Sequence, residues 1–453
     1  MAESFNPAGY EISRALITTV NGTTVDMKEF IIGLEISQSI NSNFYGTMHI
    51  LENLNYLEGT PLRGEEKLDL EIEMFDTGLK VELKLQIFSI SNITPNRMNT
   101  GSTYTASFIS RTSYDGGNRR VKTAYKNKSV KQIVQEVFED YVSDLGNADY
   151  LDPNDRSRVL TYATARYNIL NDRDRDLYIQ PTEGLIDVIM PSLMPDDAFR
   201  FLSKRAMNTD TPSHTFRWFE TIYGYYFVTD EYLIKEAVEA EDNDNIKELF
   251  YAPNASNLPD DPSLAINRIN NFSIGERGTN SAKSMLSGAY AVKTVELDIV
   301  NGTFREKNYK VQDASFIDMS GRQVSIDRLP HSQEYIDTKF TEENAREFLV
   351  LKDTQGPNDR AMSLRSDANN GEIAAMRTFY DQHLNSTSVG ISMSGRLDLS
   401  PGTIVNVNIP VFATTDLVED NNLSGKYMIK SSSHSFKNGR ASASFNLVKF
   451  GWS

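Results

Sequence analysis

The chain has 453 residues, 39% of them hydrophobic, a mean hydropathy of -0.43 and a formal charge of -16. That length exceeds one compact core and points to about three domains; no apolar run approaches the ~18 residues that span a bilayer, and the acidic balance excludes a protein that grips nucleic acid over its whole surface, since such binding neutralises phosphates with Lys and Arg. Absence of cysteine excludes disulfides and thiolate metal sites, and the start MAESFNPAGYEISR lacks the basic and apolar regions of a secretory signal, so folding in a cytoplasm is expected.

Residues 12–110 read as strands. RALITTVNGTTVDM is a hairpin around Asn21-Gly22, a pair suited to the positive φ angles of a type I′ turn. FIIGLEISQSI, YGTMHIL, KLDLEIEMF, VELKLQIFSIS and STYTASFIS follow, which makes an all-β domain of six or seven strands, either a barrel or a sandwich. After TSYDGGNRR the period becomes helical: Ser129 and Gln132 form a capping box, and Ile133, Val134, Val137, Phe138, Tyr141 and Val142 recur on one face. PDDAFRFLSKRA predicts a second helix, with Asp196 and Asp197 in its first turn and Lys204 and Arg205 in its last, complementing the dipole. HTFRWFETIYGYYFVTD reads as an aromatic hairpin turning near Gly224 and packing on these helices in a small α+β domain.

EAVEAEDNDN and YAPNASNLPDDPS mark a domain edge. β-like sequence resumes in AYAVKTVELDIV and a Val-Asn-Gly-Thr hairpin at 300–303, residues 339–372 have little period and are expected to be loops or an irregular insertion, and a helix in EIAAMRTFYDQHL leads into closing strands over 387–450.

Two segments suggest that one unit occurs twice. Leu68, Leu70, Ile72 and Met74 of KLDLEIEMF alternate as Val405, Val407, Ile409 and Val411 do in IVNVNIPVF, and both segments end in phenylalanine, Phe75 and Phe412. Subtracting 68 from 405 gives 337, the same offset that separates Phe75 from Phe412 and Ala106-Ser107-Phe108 from Ala443-Ser444-Phe445. Alternation of this kind sets one side of a strand in a core, so the repeat is physical as well as literal.

Catalytic signatures are missing. His49, His214, His331, His383 and His434 are scattered, with no H-E-x-x-H, no G-x-S-x-G and no phosphate-cradling glycine loop, so no catalytic residue, metal or cofactor is assigned. Asp69, Glu71 and Glu73 share one side of a strand; they form either a solvated face or the lining of a channel that a polyanion passes without sticking. Their counterparts Asn406 and Asn408 are uncharged. Arg119, Arg120, Lys122, Lys126 and Lys128 form the most basic stretch, open to three readings: a solvated face, a protein interface or a nucleic-acid contact.

The order of these parts, a β domain, a SVKQIVQEVFEDY helix, a FRWFETIYGYYFV hairpin and a split β domain closing on LSPGTIVNVNIPVF and YMIKSSSHSFKNGRASASF, resembles the central baseplate hub protein of contractile-tailed bacteriophages, a family related to the hub part of type VI secretion spike proteins. The resemblance implies a mainly β fold with α+β insertions: two similar β-barrel (tube-type) domains, a helix-containing peripheral domain and an insertion in the second barrel. The corresponding boundaries are 1–114 for the first barrel, 115–262 for the peripheral domain, 263–302 with 385–453 for the second barrel, and 303–384 for the insertion. It further implies a non-enzymatic homotrimer forming a pseudo-sixfold ring. Its partners would be the tail tube protein, the spike protein and other baseplate proteins, with DNA only in transit and no membrane insertion. It would reside in the virion tail baseplate after assembly in the host cytoplasm. Alternatives are a hub of a secretion or injection machine, or a β-rich polysaccharide-cleaving tail enzyme using a carboxylate pair.

Overall fold

The computed structural model describes residues 8–53, 56–59, 62–75, 78–95, 101–142, 176–208, 210–239, 246–251, 262–277, 287–298, 302–311, 314–325, 346–352, 370–411 and 420–450. Seven strands come first: β1 (Tyr10–Thr18), β2 (Thr24–Asp26), β3 (Ile31–Ser39), β4 (Ser42–Glu52), β5 (Lys67–Met74), β6 (Leu79–Pro95) and β7 (Ser102–Ser110), with a short helix α1 (Tyr56–Gly59) between β4 and β5. Six of them pair in the order β1-β5-β6-β7-β4-β3, each pair antiparallel. The core side of β5 follows the alternation read from the sequence: Leu68, Leu70 and Ile72 are wholly buried, whereas between them Asp69 is half-buried and Glu71 is itself buried. At the β1–β2 hairpin only Gly22 takes a positive φ, 80°. The Gly22 amide donates to Thr19, so the loop is a turn closed by a left-handed glycine bulge, and the expected type I′ turn, which needs Asn21 at positive φ as well, does not form.

The chain then leaves the sheet for a peripheral unit: α2 (Arg111–Gly116), β8 (Ala124–Lys128), α3 (Val130–Tyr141), β9 (Asp176–Ile179), β10 (Ile186–Ile189), α4 (Pro195–Ser203), the hairpin β11 (Phe216–Thr221) and β12 (Gly224–Thr229), and α5 (Asp230–Glu239). The Ser129–Gln132 capping box starts α3, and Ile133, Val134, Val137 and Phe138 are buried against α4 and the hairpin. Trp218 stacks on Phe199 at 3.8 Å between centroids. α4 stops at Ser203, with Lys204 as its C-cap, so Arg200 is the basic residue of its last turn and Arg205 lies beyond the helix.

A second sheet unit follows. β13 (Lys247–Tyr251), β14 (Arg268–Arg277), β20 (Thr387–Ser394), β21 (Ile404–Asn408), β22 (Gly425–Lys437) and β23 (Arg440–Lys449) run in the order β22-β21-β13-β14-β20-β23, and β22 pairs with β23 to close a six-stranded barrel. Between β14 and β20 lie β15 (Ala291–Asp298), β16 (Thr303–Lys310), β17 (Ser315–Ile317), β18 (Gln323–Ser325), β19 (Arg346–Lys352) and α6 (Asn370–Leu384). β19 lies within the stretch expected to be loops, yet it pairs in parallel with β15. A parallel partner from far along the chain leaves no local period to read.

The two barrels share one plan. Exchanging β3, β4, β5, β6 and β7 for β14, β20, β21, β22 and β23 converts the first strand order into the second, and all the exchanged neighbours remain antiparallel. The sixth place differs: β1 is antiparallel to β5, whereas β13 is parallel to both β21 and β14. β-Bulges fix the register, because each adds one residue at a definite rung. The ladder slips between Ile31 and Gly33 in β3 and between Ile269 and Asn271 in β14, and between Ile87 and Ser89 in β6 and between Ile429 and Ser431 in β22. Superposing the bulges sets Leu68 on Val405 and Leu70 on Val407, the correspondence found in the sequence. The same superposition sets Ala106 on Phe445 and Phe108 on Leu447, so the two Ala-Ser-Phe tripeptides are out of step by two residues and their match is one of letters. Phe75 is exposed; Phe412 lies outside the described residues.

β3 and β22 join the barrels, from Ser39 opposite Ser431 to Gly33 opposite Lys437, into a single 13-stranded sheet. The tip of the β22–β23 hairpin then reaches the open side of the first barrel. Ala441 donates to the Ala8 carbonyl at 2.7 Å, and Phe436 enters the first core with its ring 5.0 Å from Tyr10, edge to face. Phe436→Ala is expected to destabilise the chain by about 3–5 kcal/mol, as for other fully buried aromatics. Because the side chain serves the first core from the second barrel, near-ultraviolet circular dichroism during urea unfolding should show both barrels melting at lower denaturant.

Candidate assembly surfaces

The junction between the barrels is wedged by the peripheral hairpin. The turn between β11 and β12 places Ile222 and Tyr223 in the first core. Gln38 of β3 accepts the Ile222 amide at 2.9 Å, and the Tyr223 hydroxyl donates to the Leu397 carbonyl at 2.6 Å. Below the wedge, Arg217 forms paired bonds to Asp230 at 2.8 Å, an ion pair to Asp381 at 2.6 Å and a bond to Asn41 at 3.0 Å. Burial works against the guanidinium charge, but Asp230 and Asp381 outweigh it and raise the pKa. Arg377 of α6 donates to the His214, Lys204 and Ala206 carbonyls at 2.5–2.6 Å. These bonds tie the β3–β4 turn, the peripheral unit and the insertion to one another.

Glu231, fully buried, accepts from Ser213 and from the Ile317 amide at 2.9 Å, and burial pushes its carboxyl up to about 7 despite those bonds. His434 of β22 is also fully buried; Nε2 donates to the Arg396 carbonyl at 3.0 Å, Nδ1 has no hydrogen-bond partner among the described residues, and burial holds its pKa at about 4.

The outer side of the joined sheet is built from small hydroxyls. Along one row of the ladders Ser392, Ser444, Ser433, Ser37 and Tyr45 stand side by side. The next row runs Ser394, Ser442, Ser435, Glu35, Thr47 and Ser107. Glu35 interrupts that row, and Lys437 and Arg440 stand at the margin. A groove of about 430 Å³ follows the first row, lined by Ser37, Ser39, Ser431, Ser433, Ser444 and Asn446. The first row crosses the seam without a break because β3–β22 pairing keeps the pleats in phase.

Charge occupies a different part of the first barrel. Asp69, Glu71 and Glu73 project outward from β5, beside Lys84, Glu82 and Lys80 of β6. Arg111 pairs with Asp69 at 3.1 Å, Lys80 with Glu71 at 2.9 Å and Arg14 with Glu82 at 2.5 Å. Burial raises the Glu71 pKa, but the Ser13 hydrogen bond and Lys80 prevail and hold it at about 2. Asn406 and Asn408 occupy the outward positions of β21 that correspond to Asp69 and Glu71. Within the basic stretch, Lys128 pairs with Glu136 at 2.5 Å, Arg119 donates to the Asp140 and Tyr141 carbonyls ending α3, Arg120 donates to the Gly117 and Arg119 carbonyls, and Lys122 and Lys126 are exposed. Geometry brings the acids together in one mixed lattice and leaves the basic residues along a separate edge of the peripheral unit.

The hydroxyl wall was not singled out in the sequence reading, although its signal is there: EISQS, GISMS, SSSHS and ASASF each place serine at alternate positions. Among the described residues no cluster of three His, Cys, Asp or Glu could hold a metal ion, and no helix is long and apolar enough to cross a membrane. His331 lies outside the described residues.

No protein-family model and no curated protein matches the chain. Among solved structures it is similar to the tail protein from Neisseria meningitidis MC58, at 11% identity over 97% of each chain with a TM-score of 0.49. It is also similar to the 43 kDa tail protein of prophage MuSo2 from Shewanella oneidensis, at 9% identity over 96% of this chain and 98% of that one, TM-score 0.49. A third is the E. coli c3393 protein, described as a type VI secretion component with structural similarity to T4 tail proteins gp27 and gp5, at 9% identity over 98% of this chain and 77% of that one, TM-score 0.41.

A histidine whose folded pKa is depressed contributes stability that is present above pH 6.5 and lost as the pH falls towards 4. His434→Asn, which cannot titrate, is therefore expected to close the stability gap to the wild type by about 3 kcal/mol over that interval, measured by urea titrations at pH 7, 5.5 and 4.5. Glu231, raised to about 7, contributes in the opposite sense: its share is full below pH 4.5 and lost as the pH rises through 7. Glu231→Gln should flatten that part of the profile.

Proposed function

We propose that the chain is a structural hub of a phage baseplate: a homotrimer whose three chains present six barrels around a channel, joining a sixfold tail tube to a threefold spike. The observation that carries this reading is one strand plan occurring twice in one chain, fused edge to edge through β3 and β22. A threefold assembly meets a sixfold partner without mismatch when each chain offers two equivalent surfaces, and fusion through a sheet makes the two surfaces rigid relative to each other.

The hydroxyl wall takes the channel lining that is one of the two readings of Asp69, Glu71 and Glu73; Arg111 pairs with Asp69, and Arg14 and Lys80 pair with Glu71. Serine and threonine hold water and carry no fixed charge, so passing phosphates find neither a site to adsorb nor a strong repulsion. The peripheral unit, with Lys122 and Lys126 exposed, faces outward towards other baseplate proteins, and no step of the role requires catalysis. Such a neutral wall suits a protein cargo equally, which favours a secretion hub as the second reading; capsid genes beside this gene support the first, effector and immunity genes the second.

Light scattering after gel filtration, alone and with tube and spike proteins, is expected to give three times the 51.1 kDa of the chain, and negative-stain images a threefold ring with a central hole. A monomer under all these conditions overturns the trimer.

A further inference from the structure

The basic stretch from Arg119 to Lys128 has three readings in the sequence, a solvated face, a protein interface and a nucleic-acid contact, and its fold separates them. β8 pairs with β10, with Val188 opposite Tyr125 and Ile189 opposite Ala124, and Val121 bridges Leu193 beyond the turn at Ser192, which has φ 58°. Val121, Tyr125, Ile186 and Met190 of this ribbon enter the core shared with α3 and α4, so its outer side is a fixed platform. On that side Ile189 is 75% exposed, the highest value of any large hydrophobic side chain among the described residues, and Met194 is 39% exposed. Ala124 and Pro191 are exposed as well. Lys122 and Lys126, two residues to either side of Ala124, are exposed and form no ion pair among the described residues. A lone exposed aliphatic residue is ordinary, but an aliphatic centre with an unpaired cation on each side has the layout of a docking patch, apolar at its core and polar at its rim.

A solvated face has no use for Ile189 and Met194. Nucleic acid is gripped by guanidinium forks on phosphates and by aromatic rings on bases. Here the Arg119 and Arg120 guanidiniums are bonded to main-chain carbonyls, and Tyr125 is 4% exposed. A membrane surface takes a longer amphipathic face than this short ribbon offers. We propose that the outer side of the β8–β10 ribbon docks an acidic segment of another baseplate protein, one that sets a large apolar side chain against Ile189 and Met194 and carboxylates against Lys122 and Lys126. This rests on the hub reading, in which the peripheral unit faces outward, and adds the chemistry of the partner it meets. Charge complementarity selects the occupant: in a chain of formal charge -16 this is the most basic stretch, so an acidic protein is repelled by the chain as a whole and attracted at this patch.

The absence of native cysteine lets a single site carry a probe. Ala124→Cys, labelled with a benzophenone maleimide, is irradiated with each baseplate protein encoded beside the gene, purified singly, and in parallel with a DNA duplex and with vesicles of phosphatidylethanolamine and phosphatidylglycerol. The expected result is a cross-link to one of the proteins, mapped by mass spectrometry to a segment that holds Asp or Glu around an apolar residue. Val20→Cys, at a comparably open hydrophobic position of the first barrel, 68% exposed, should not give that cross-link. In unlabelled protein, Lys122→Glu/Lys126→Glu and, separately, Ile189→Ser should each weaken binding of the same partner about tenfold or more. Raising NaCl from about 50 to about 500 mM should erase most of the difference between wild type and the charge-reversed variant. These side chains are exposed, so both variants should keep the wild-type melting temperature, mass in solution and binding of tube and spike proteins. Equal binding by the charge-reversed variant, a cross-link only within the same chain, or reaction only with the vesicles or the duplex overturns the docking proposal. A trimer that binds tube and spike but cross-links to none of the other baseplate proteins also overturns it and leaves the hub reading standing. A chain that neither trimerises nor binds tube or spike removes both.

Discussion

Backbone amides and carbonyls at the rim of a sheet must find partners, and the whole chain is arranged around how β3 meets this demand by pairing with β22. That ladder is why two barrels of like plan form one continuous surface instead of two domains on a linker. It is also why the tip of the β22–β23 hairpin reaches over to seat Phe436 and Ala441 in the first core. With the hairpin shared, the peripheral turn of Ile222 and Tyr223 finds a fixed notch, and Gln38 satisfies its amide.

Charge is segregated by this arrangement. Ion pairs gather on β1, β5 and the first half of β6, where side chains are long and solvent screens them, so each pair adds little stability. The strands that cross the seam carry serine and threonine, which fit between closely spaced sheet edges without demanding counter-ions. One buried charge network lies at the base of the peripheral unit, where Arg217 binds Asp230 through two bonds and Asp381 through a third. Removing either kind of partner there would leave an uncompensated charge, so the network specifies one orientation of the unit on the barrels.

Much of the first barrel was legible because its strands alternate: KLDLEIEM shows its core side in its own letters, and the Ser129–Gln132 box shows where α3 begins. REFLVLK showed no strand of its own because its partner, β15, lies well back in the chain and the pairing is parallel. The Ala-Ser-Phe coincidence misled in the other direction. Identical letters on both strands could not reveal a ladder slipped by two residues, whereas the bulges at Gly33 and Asn271 could. The alternate serines were visible too, but as separate strings; only adjacency makes them a wall.

By itself the sequence determined which residues alternate, where helices are capped, that the pattern of β5 returns in β21, and that no thiol chemistry operates. These are properties of nearest neighbours along the chain, written in period and composition. Tertiary structure decided which edges meet, which barrel owns Phe436, and that serines from β3, β22, β23 and β20 share one face. Strand pairing joins residues hundreds of positions apart through backbone groups common to every amino acid, so its register leaves almost no trace in the side chains that a sequence records.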